Sequence, residues 1–246
     1  MAVVDVRFAP HRGTPALPGG QLRLLSLSLR YRIVTCPVGR RWGKTQAAKM
    51  AILAHYQQGR YAGKHFRAAY CGPTYKAAKR EYDEFKAMCG GAKGRGIIAD
   101  KSDSDLWIKL KPLQTENGPT AGGLVQFWSL DNHENLRGDR LHFVVIDEAK
   151  DVKEDAWRAT VRPMLIDTRG HALIIGTPKR DGVGFQWFRR EFHRGHDPEF
   201  TRHASMTGPS GGNPYLAEEE LDALRMECHD KATEREEIGA EFLDEE

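Results

Sequence analysis

One stretch limits what this chain can fold into more than any other: an apolar run, a glycine-bounded basic loop and a helix-forming segment, in that order. Residues 31–39 (YRIVTCPVG) are short, rich in β-branched side chains and end in a turn, which is the composition of a buried strand. Residues 43–59 (GKTQAAKMAILAHYQQG) are dense in strong helix formers and close on Gly59. Between them lies Gly39-Arg40-Arg41-Trp42-Gly43-Lys44-Thr45. A loop that enters a helix through Gly-Lys-Thr is suited to phosphate. Backbone N–H groups and the helix N-terminus surround phosphate oxygens, Lys44 reaches the β- and γ-phosphates, and the Thr45 hydroxyl ligates Mg²⁺. Gly43 lets the backbone approach closely. Val38 stands where the usual pattern has its first glycine, so the loop reads GxxxGKT. The tail that carries the chemistry is intact, and the expected cofactors are ATP and Mg²⁺.

A second element is Phe143-Val144-Val145-Ile146-Asp147-Glu148. Four apolar residues followed by two acids put the acids at the C-terminal end of a buried strand, the edge where open α/β sheets bind ligands. Asp147 is then a magnesium ligand, and Glu148 orients and deprotonates an attacking water. A third strand, HALII, ends in Gly176-Thr177-Pro178. There Thr177 is placed to lie beside a γ-phosphate.

The rest of the chain alternates in the same way. Strands are expected at 66–71, in the alternating segments DLWIKLK and GLVQFWSL, at 142–146 and at 171–175. Helices are expected at 76–88, 153–166, 184–193, 214–227 and 230–241. Short strands interleaved with helices imply an α/β fold with a mostly parallel central sheet flanked by helices. Residues 1–20, with three prolines and three glycines, read as an irregular arm.

Composition narrows the class. The 246 residues contain no apolar run long enough to span a bilayer, and the N-terminus lacks a secretory h-region. Four scattered cysteines exclude a Cys-rich zinc module and favour a reducing compartment. The net charge of +3 conceals a polarity. Residues 1–130 carry 21 basic against 8 acidic side chains, whereas residues 217–246 carry 3 against 13. A basic first half suits a polyanionic partner. Lys93 and Arg95 in a glycine-rich loop, with Lys109 and Lys111 on a strand, are the candidates to contact the phosphates of such a polyanion. Trp42 inside the loop has no role that the sequence assigns.

Taken together, GRRWGKT, the GPTY at 72–75, NLRGDRLHFVVIDEA, AWRATVRPML, IIGTPKR and IGAEF resemble the large subunit of viral terminases over residues 20–242. These are the motors that package double-stranded DNA into tailed-phage capsids. The resemblance implies a P-loop NTPase of the ASCE, RecA-like type over 21–246, with an acidic helical C-terminal segment. The nuclease domain that normally follows is not expected in this chain. It further implies that Arg40 contacts phosphate or Glu148 in the same subunit, and that Arg137 acts in trans as an arginine finger. Thr177 takes a coupling position, and Gln21 reads the adenine edge. The implied partners are duplex DNA, the procapsid portal, the small terminase subunit and further copies in a ring. The domain is expected to be monomeric when isolated, in the host cytoplasm and away from membranes. Two other readings share the loop and the acids: a helicase- or recombinase-like DNA-dependent ATPase, and a nucleotide-switched regulatory module. The 68 residues after Pro178 are too few for a second helicase lobe, and Glu148 argues for turnover rather than switching alone.

Overall fold

A strand buried on both faces has to satisfy its backbone within the sheet, and the apolar runs found in the sequence do so in a computed structural model describing residues 10–91, 96–136 and 138–243. The chain packs as two compact units. The first comprises Lys49–Val145 and Asp155–His171. The second comprises Pro10–Ala48, Ile146–Glu154 and the chain from Ala172 onward.

In the second unit, α1 (Gly20–Arg30) leads into β1 (Ile33–Pro37), whose five residues are all buried. β1 pairs in parallel with β9 (His171–Gly176) on one side and β10 (His203–Ser205) on the other. The register sets Pro37 opposite Gly176, so β1 and β9 end level with each other. Both the loop that leaves β1 and the Thr177 segment that leaves β9 therefore open at the same sheet edge. α5 (Phe185–Arg194), α6 (Glu218–Met226) and α7 (Lys231–Glu237) complete this unit. α5 packs Phe185, Trp187 and Phe188 inward, and Trp187 Nε1 donates to the Val152 carbonyl at 2.6 Å.

The first unit holds β2 (Phe66–Gly72), α3 (Tyr75–Gly90), β3 (Ile98–Ser102), β4 (Trp107–Leu110) and β7 (Gly123–Ser129). A small antiparallel pair, β5 (Gln114–Thr115) with β6 (Gly118–Pro119), lies between β4 and β7 in the chain. β2 and β7 are parallel over seven residue pairs, and β4 and β3 extend the sheet antiparallel. β8 (Phe143–Ile146) is buried throughout and carries the chain into the second unit at Ile146. α2 (Lys44–Tyr56) likewise starts in the second unit and continues in the first. The expected mostly parallel α/β arrangement with flanking helices is what forms.

Several expectations need correction. A continuous helix over 153–166 gives way to a π-helical stretch, Ala156–Val161, followed by the short α4 (Arg162–Met164). Pro163 supplies no N–H to the carbonyl four residues back, and a widened turn accommodates that loss. α6 and α7 are shorter than the expected 214–227 and 230–241. The sequence does not anticipate α1, β3 or β10. α1 starts at Gly19 and Gly20, both at positive φ, and buries Gln21, Leu24, Leu25 and Ser28. Among the described residues no helix is long and apolar enough to cross a membrane.

Candidate functional site

The loop after β1, the acidic pair after β8 and the Thr177 segment all belong to the second unit. Leaving β1, Val38 N–H donates to the Gly176 carbonyl at 2.9 Å and Gly39 N–H to the Gly208 carbonyl at 2.8 Å. The loop then doubles back through Arg41 (φ 62°) and Gly43 (φ 91°), both left-handed. Residues of alternating handedness turn successive N–H groups toward one side, which makes a concave anion receptor. α2 begins at Lys44, so its first N–H groups have no carbonyl one turn back. The helix start and the loop face the same space.

Packing fixes this loop from several directions. A Cβ on Gly39 would fall 2.5 Å from both the Ile238 carbonyl oxygen and Ser210 Oγ, so only glycine fits. Ser210 Oγ donates to the Arg40 carbonyl at 2.6 Å, and Asn213 Nδ2 donates to the Arg41 carbonyl at 2.7 Å. The Trp42 indole is buried and packs under Gly208, where a Cβ would lie 2.7 Å from its ring. The role left open for Trp42 is thus to seat the loop, and its side chain faces the protein rather than the phosphate receptor.

Gln21 also serves the loop. Its Nε2 donates to the Gly43 carbonyl at 2.8 Å and its Oε1 accepts from the His11 N–H at 3.2 Å. Both ends of this buried side chain are thus engaged within the protein, with one Nε2 hydrogen and one Oε1 lone pair beyond these two bonds. His11 is buried beside it. Its Nδ1 accepts from Gly13 N–H at 3.2 Å, which leaves Nε2–H to donate to the Trp42 carbonyl at 3.2 Å. Burial lowers the His11 pKa, against the opposing effect of the Trp42 carbonyl. A cleft of about 340 Å³ opens next to this strap, lined among others by Leu17, Pro18, Gly20, Arg23 and Trp42.

The acidic pair follows β8. Asp147 is buried, and its Oδ1 accepts the Glu148 N–H at 2.8 Å. Glu148 adopts left-handed backbone angles (φ 50°, ψ 48°). A non-glycine residue there carries strain of about 1–2 kcal/mol, held by its surroundings. Gly176 presses close from β9: a Cβ on it would come within 2.9 Å of the Ala149 nitrogen. The turn aims the Glu148 carboxylate at the loop, where Oε1 meets Lys44 Nζ at 2.9 Å. Thr177 is buried at the end of the adjacent strand. Thr45 is half-buried one residue beyond Lys44. A hydroxyl and a carboxylate are hard oxygen donors, and that donor set fits Mg²⁺.

A further acid here escaped the sequence reading. Glu237, at the end of α7, is 3% exposed. Its Oε2 lies 2.6 Å from an Arg40 guanidinium nitrogen, and its other oxygen pairs with Lys179. Arg180 pairs with the neighbouring Glu236 at 2.8 Å. Burial raises the Glu236 pKa, with Arg180 opposing. The sequence signal for Glu237 is no more than the excess of acids near the C-terminus.

Other candidates lie elsewhere. Lys109 and Lys111 belong to the first unit. Lys109 is exposed, pairs with Asp100 at 3.3 Å and rests over the Trp107 ring at 4.7 Å. Lys111 Nζ donates to the Gly96 carbonyl at 3.0 Å, so its ammonium is partly engaged. Arg137, Lys93 and Arg95 lie outside the described residues.

No protein-family profile matches the chain. It is 26% identical over 216 residues to the terminase large subunit of Escherichia phage T5, covering 87% of this chain and 44% of that protein. A 67-residue stretch is 42% identical to the terminase large subunit of Thermus phage G20c, covering 27% of this chain and 13% of that one. The chain thus spans less than half the length of these relatives. Its fold matches the large terminase ATPase domain of Thermus phage P74-26 with a TM-score of 0.74 at 22% identity, covering 97% of this chain and 96% of that one. It also matches the large terminase of a thermophilic bacteriophage solved in complex with ADP, with a TM-score of 0.71 at 14% identity, over 91% of this chain and 53% of that one. By sequence the chain is similar to phage terminase large subunits, and its fold is that of the large terminase ATPase domains.

Proposed function

We propose that this chain is an ATP-hydrolysing motor domain that drives double-stranded viral DNA into a procapsid. The observation that carries the reading is the opposition of Lys44 and Glu148 across the mouth of the loop, 2.9 Å apart. A phosphate-binding cation and an acid able to activate water are the two groups that hydrolysis of a phosphoanhydride needs within reach of the γ-phosphate.

In this reading the loop N–H groups and Lys44 cradle the triphosphate, while Arg40 neutralises charge that develops on the γ-phosphoryl group. Thr45 and Asp147 hold Mg²⁺, which when bound screens the phosphate oxygens. Glu148 leaves Lys44 when the triphosphate arrives, orients a water in line with the β–γ bridge and takes its proton. Thr177 lies where the presence or loss of the γ-phosphate is felt along β9. The base enters the cleft beside Gly20 and Trp42, with Gln21 setting the loop at its floor. Arg137 acts from a neighbouring copy, within a ring that sits on the capsid portal with the small terminase subunit in the host cytoplasm. The terminase names of the relatives support DNA as the cargo.

Steady-state phosphate release with and without duplex DNA tests this reading. A packaging motor turns over ATP, and duplex DNA stimulates it regardless of sequence. Stimulation by single strands alone would favour a helicase-like enzyme. Nucleotide binding without sustained turnover would favour a switch.

A further inference from the structure

We propose that Glu237 is the positioning residue for Arg40, and that through it α7 sets how well the site distinguishes a triphosphate from a diphosphate. The proposal rests on the reading of the loop as a nucleotide site and adds a residue that reading does not contain.

The geometry is specific. The Glu237 carboxylate is almost fully buried, yet it meets two cations that leave the sheet edge on different segments. Arg40 comes from the loop after β1, at 2.6 Å, and Lys179 comes from the segment that follows Thr177. The main chain repeats the connection, since the Arg40 N–H donates to the Glu237 carbonyl at 2.7 Å. One residue later the Ile238 carbonyl accepts from the Ser210 N–H at 2.8 Å, and Ser210 Oγ in turn holds the Arg40 carbonyl. Arg40 is thus gripped at its N–H, its carbonyl and one guanidinium nitrogen.

The exposures separate the roles of the two partners. The Glu237 side chain is 4% exposed and that of Arg40 is 46% exposed. A buried carboxylate does not readily give up its counter-charges, because an unpaired charge in the interior is strongly unfavourable. Glu237 is therefore the fixed partner. A guanidinium has five N–H donors in a rigid plane, so anchoring one nitrogen orients the others. The half-exposed part of Arg40 stays open to solvent and free to meet a phosphate. A side chain of this length, left free, loses rotamer entropy each time it engages a phosphate, and the anchor removes that cost in advance. The benefit falls on the γ-phosphate, since the β-phosphate is already cradled by backbone N–H groups and Lys44.

The test compares the parent with Arg40→Ala, Glu237→Gln, Glu237→Asp and the double variant Arg40→Ala/Glu237→Gln. Affinities for Mg-ATPγS and Mg-ADP are measured by competition against a fluorescent nucleotide, with thermal melts as the folding control. Glu237→Gln is expected to weaken ATPγS about tenfold, as loss of one charge-assisted contact would, and to change ADP by less than about twofold. Arg40→Ala should do the same, and the double variant should be no worse than either single one, because the two residues act as one unit. Glu237→Asp keeps the charge but retracts it by one methylene, and should fall between. Should Glu237→Gln fail to fold, the Asp variant decides alone: an unchanged ATPγS-to-ADP ratio overturns the proposal. Equal weakening of both nucleotides, or effects that multiply in the double variant, would reduce Glu237 to a structural counter-ion and overturn it as well. Failure of the underlying reading looks different, since the parent would then bind neither nucleotide, and the proposal would fall with it.

Discussion

Lys44 Nζ and Glu148 Oε1 stand 2.9 Å apart, so the loop cation and the acid at the end of β8 neutralise each other across the site. In the proposed reaction a triphosphate takes Lys44 away from Glu148, and the acid then turns to water. Lys44→Ala should weaken Mg-ATP binding by about tenfold or more, the scale of losing a charge-assisted phosphate contact. Glu148→Gln should bind Mg-ATP at least as tightly as the parent, because the competitor for Lys44 has lost its charge. Equilibrium binding of a fluorescent ATP analogue measures both.

The loop has no room for a side chain at Gly39, where a Cβ would meet the Ile238 carbonyl oxygen at 2.5 Å. Gly39→Ala should destabilise the fold by about 1–3 kcal/mol, the usual cost of overpacking. Urea unfolding of the variant, alongside nucleotide binding, should show both losses together. A neutral effect on both would mean that the loop is not held by residues 210 and 238.

Stability should depend on pH through His11. Its ring is neutral, with Nδ1 accepting from Gly13 and Nε2 donating to Trp42, and burial lowers its pKa below 6.5. The unfolded chain then takes up a proton at a higher pH than the folded chain does. The stabilisation is complete above about pH 6.5 and is lost as pH falls from there toward the folded pKa. His142 in the first unit is shifted the same way, chiefly by burial and then by Arg60 and Arg67. Melting temperature should therefore fall on acidification below about pH 6.5. His11→Gln should remove part of that slope while leaving the part due to His142.

Binding to duplex DNA should be independent of sequence and steep in salt. Each phosphate neutralised contributes about 0.9 to the slope of log K against log salt. Charge reversal at Lys93, Arg95 or Lys109 should lower affinity alike on unrelated duplexes. Lys111, already donating to the Gly96 carbonyl, should matter less than Lys109, which is 54% exposed. Fluorescence anisotropy across a salt series reads this, and a strong preference for one sequence would count against a packaging track.

The phosphate loop, the Asp147–Glu148 doublet and the strand before Gly176 are legible in the sequence because their chemistry is local. Each needs an apolar run followed by particular residues within a few positions. α1 is not legible. Its Leu and Ser residues alternate through LSLSLR, and only its place in the fold makes Leu24 and Leu25 an inward face. The three-residue β10 exists because β1 offers it an edge, and three residues leave no periodicity to read. Long-range pairing also hides Glu237. In the sequence it is one acid among many in the acidic C-terminal segment. In the fold, Glu236 and Glu237 are buried against Arg180, Lys179 and Arg40, so the segment is part of the site's support. Gln21 stands out by its position before β1, but its partners, His11 and the Gly43 carbonyl, are brought together only by the fold.

The proposed ATP hydrolysis depends most directly on Glu148 as the group that activates water. Phosphate release at saturating Mg-ATP by Glu148→Gln, set beside the parent and with nucleotide binding verified in the same samples, tests it. The variant should bind ATP while its turnover falls by about 10²-fold or more, as for loss of a general base. Hydrolysis at the parent rate by a variant that binds ATP normally would contradict it.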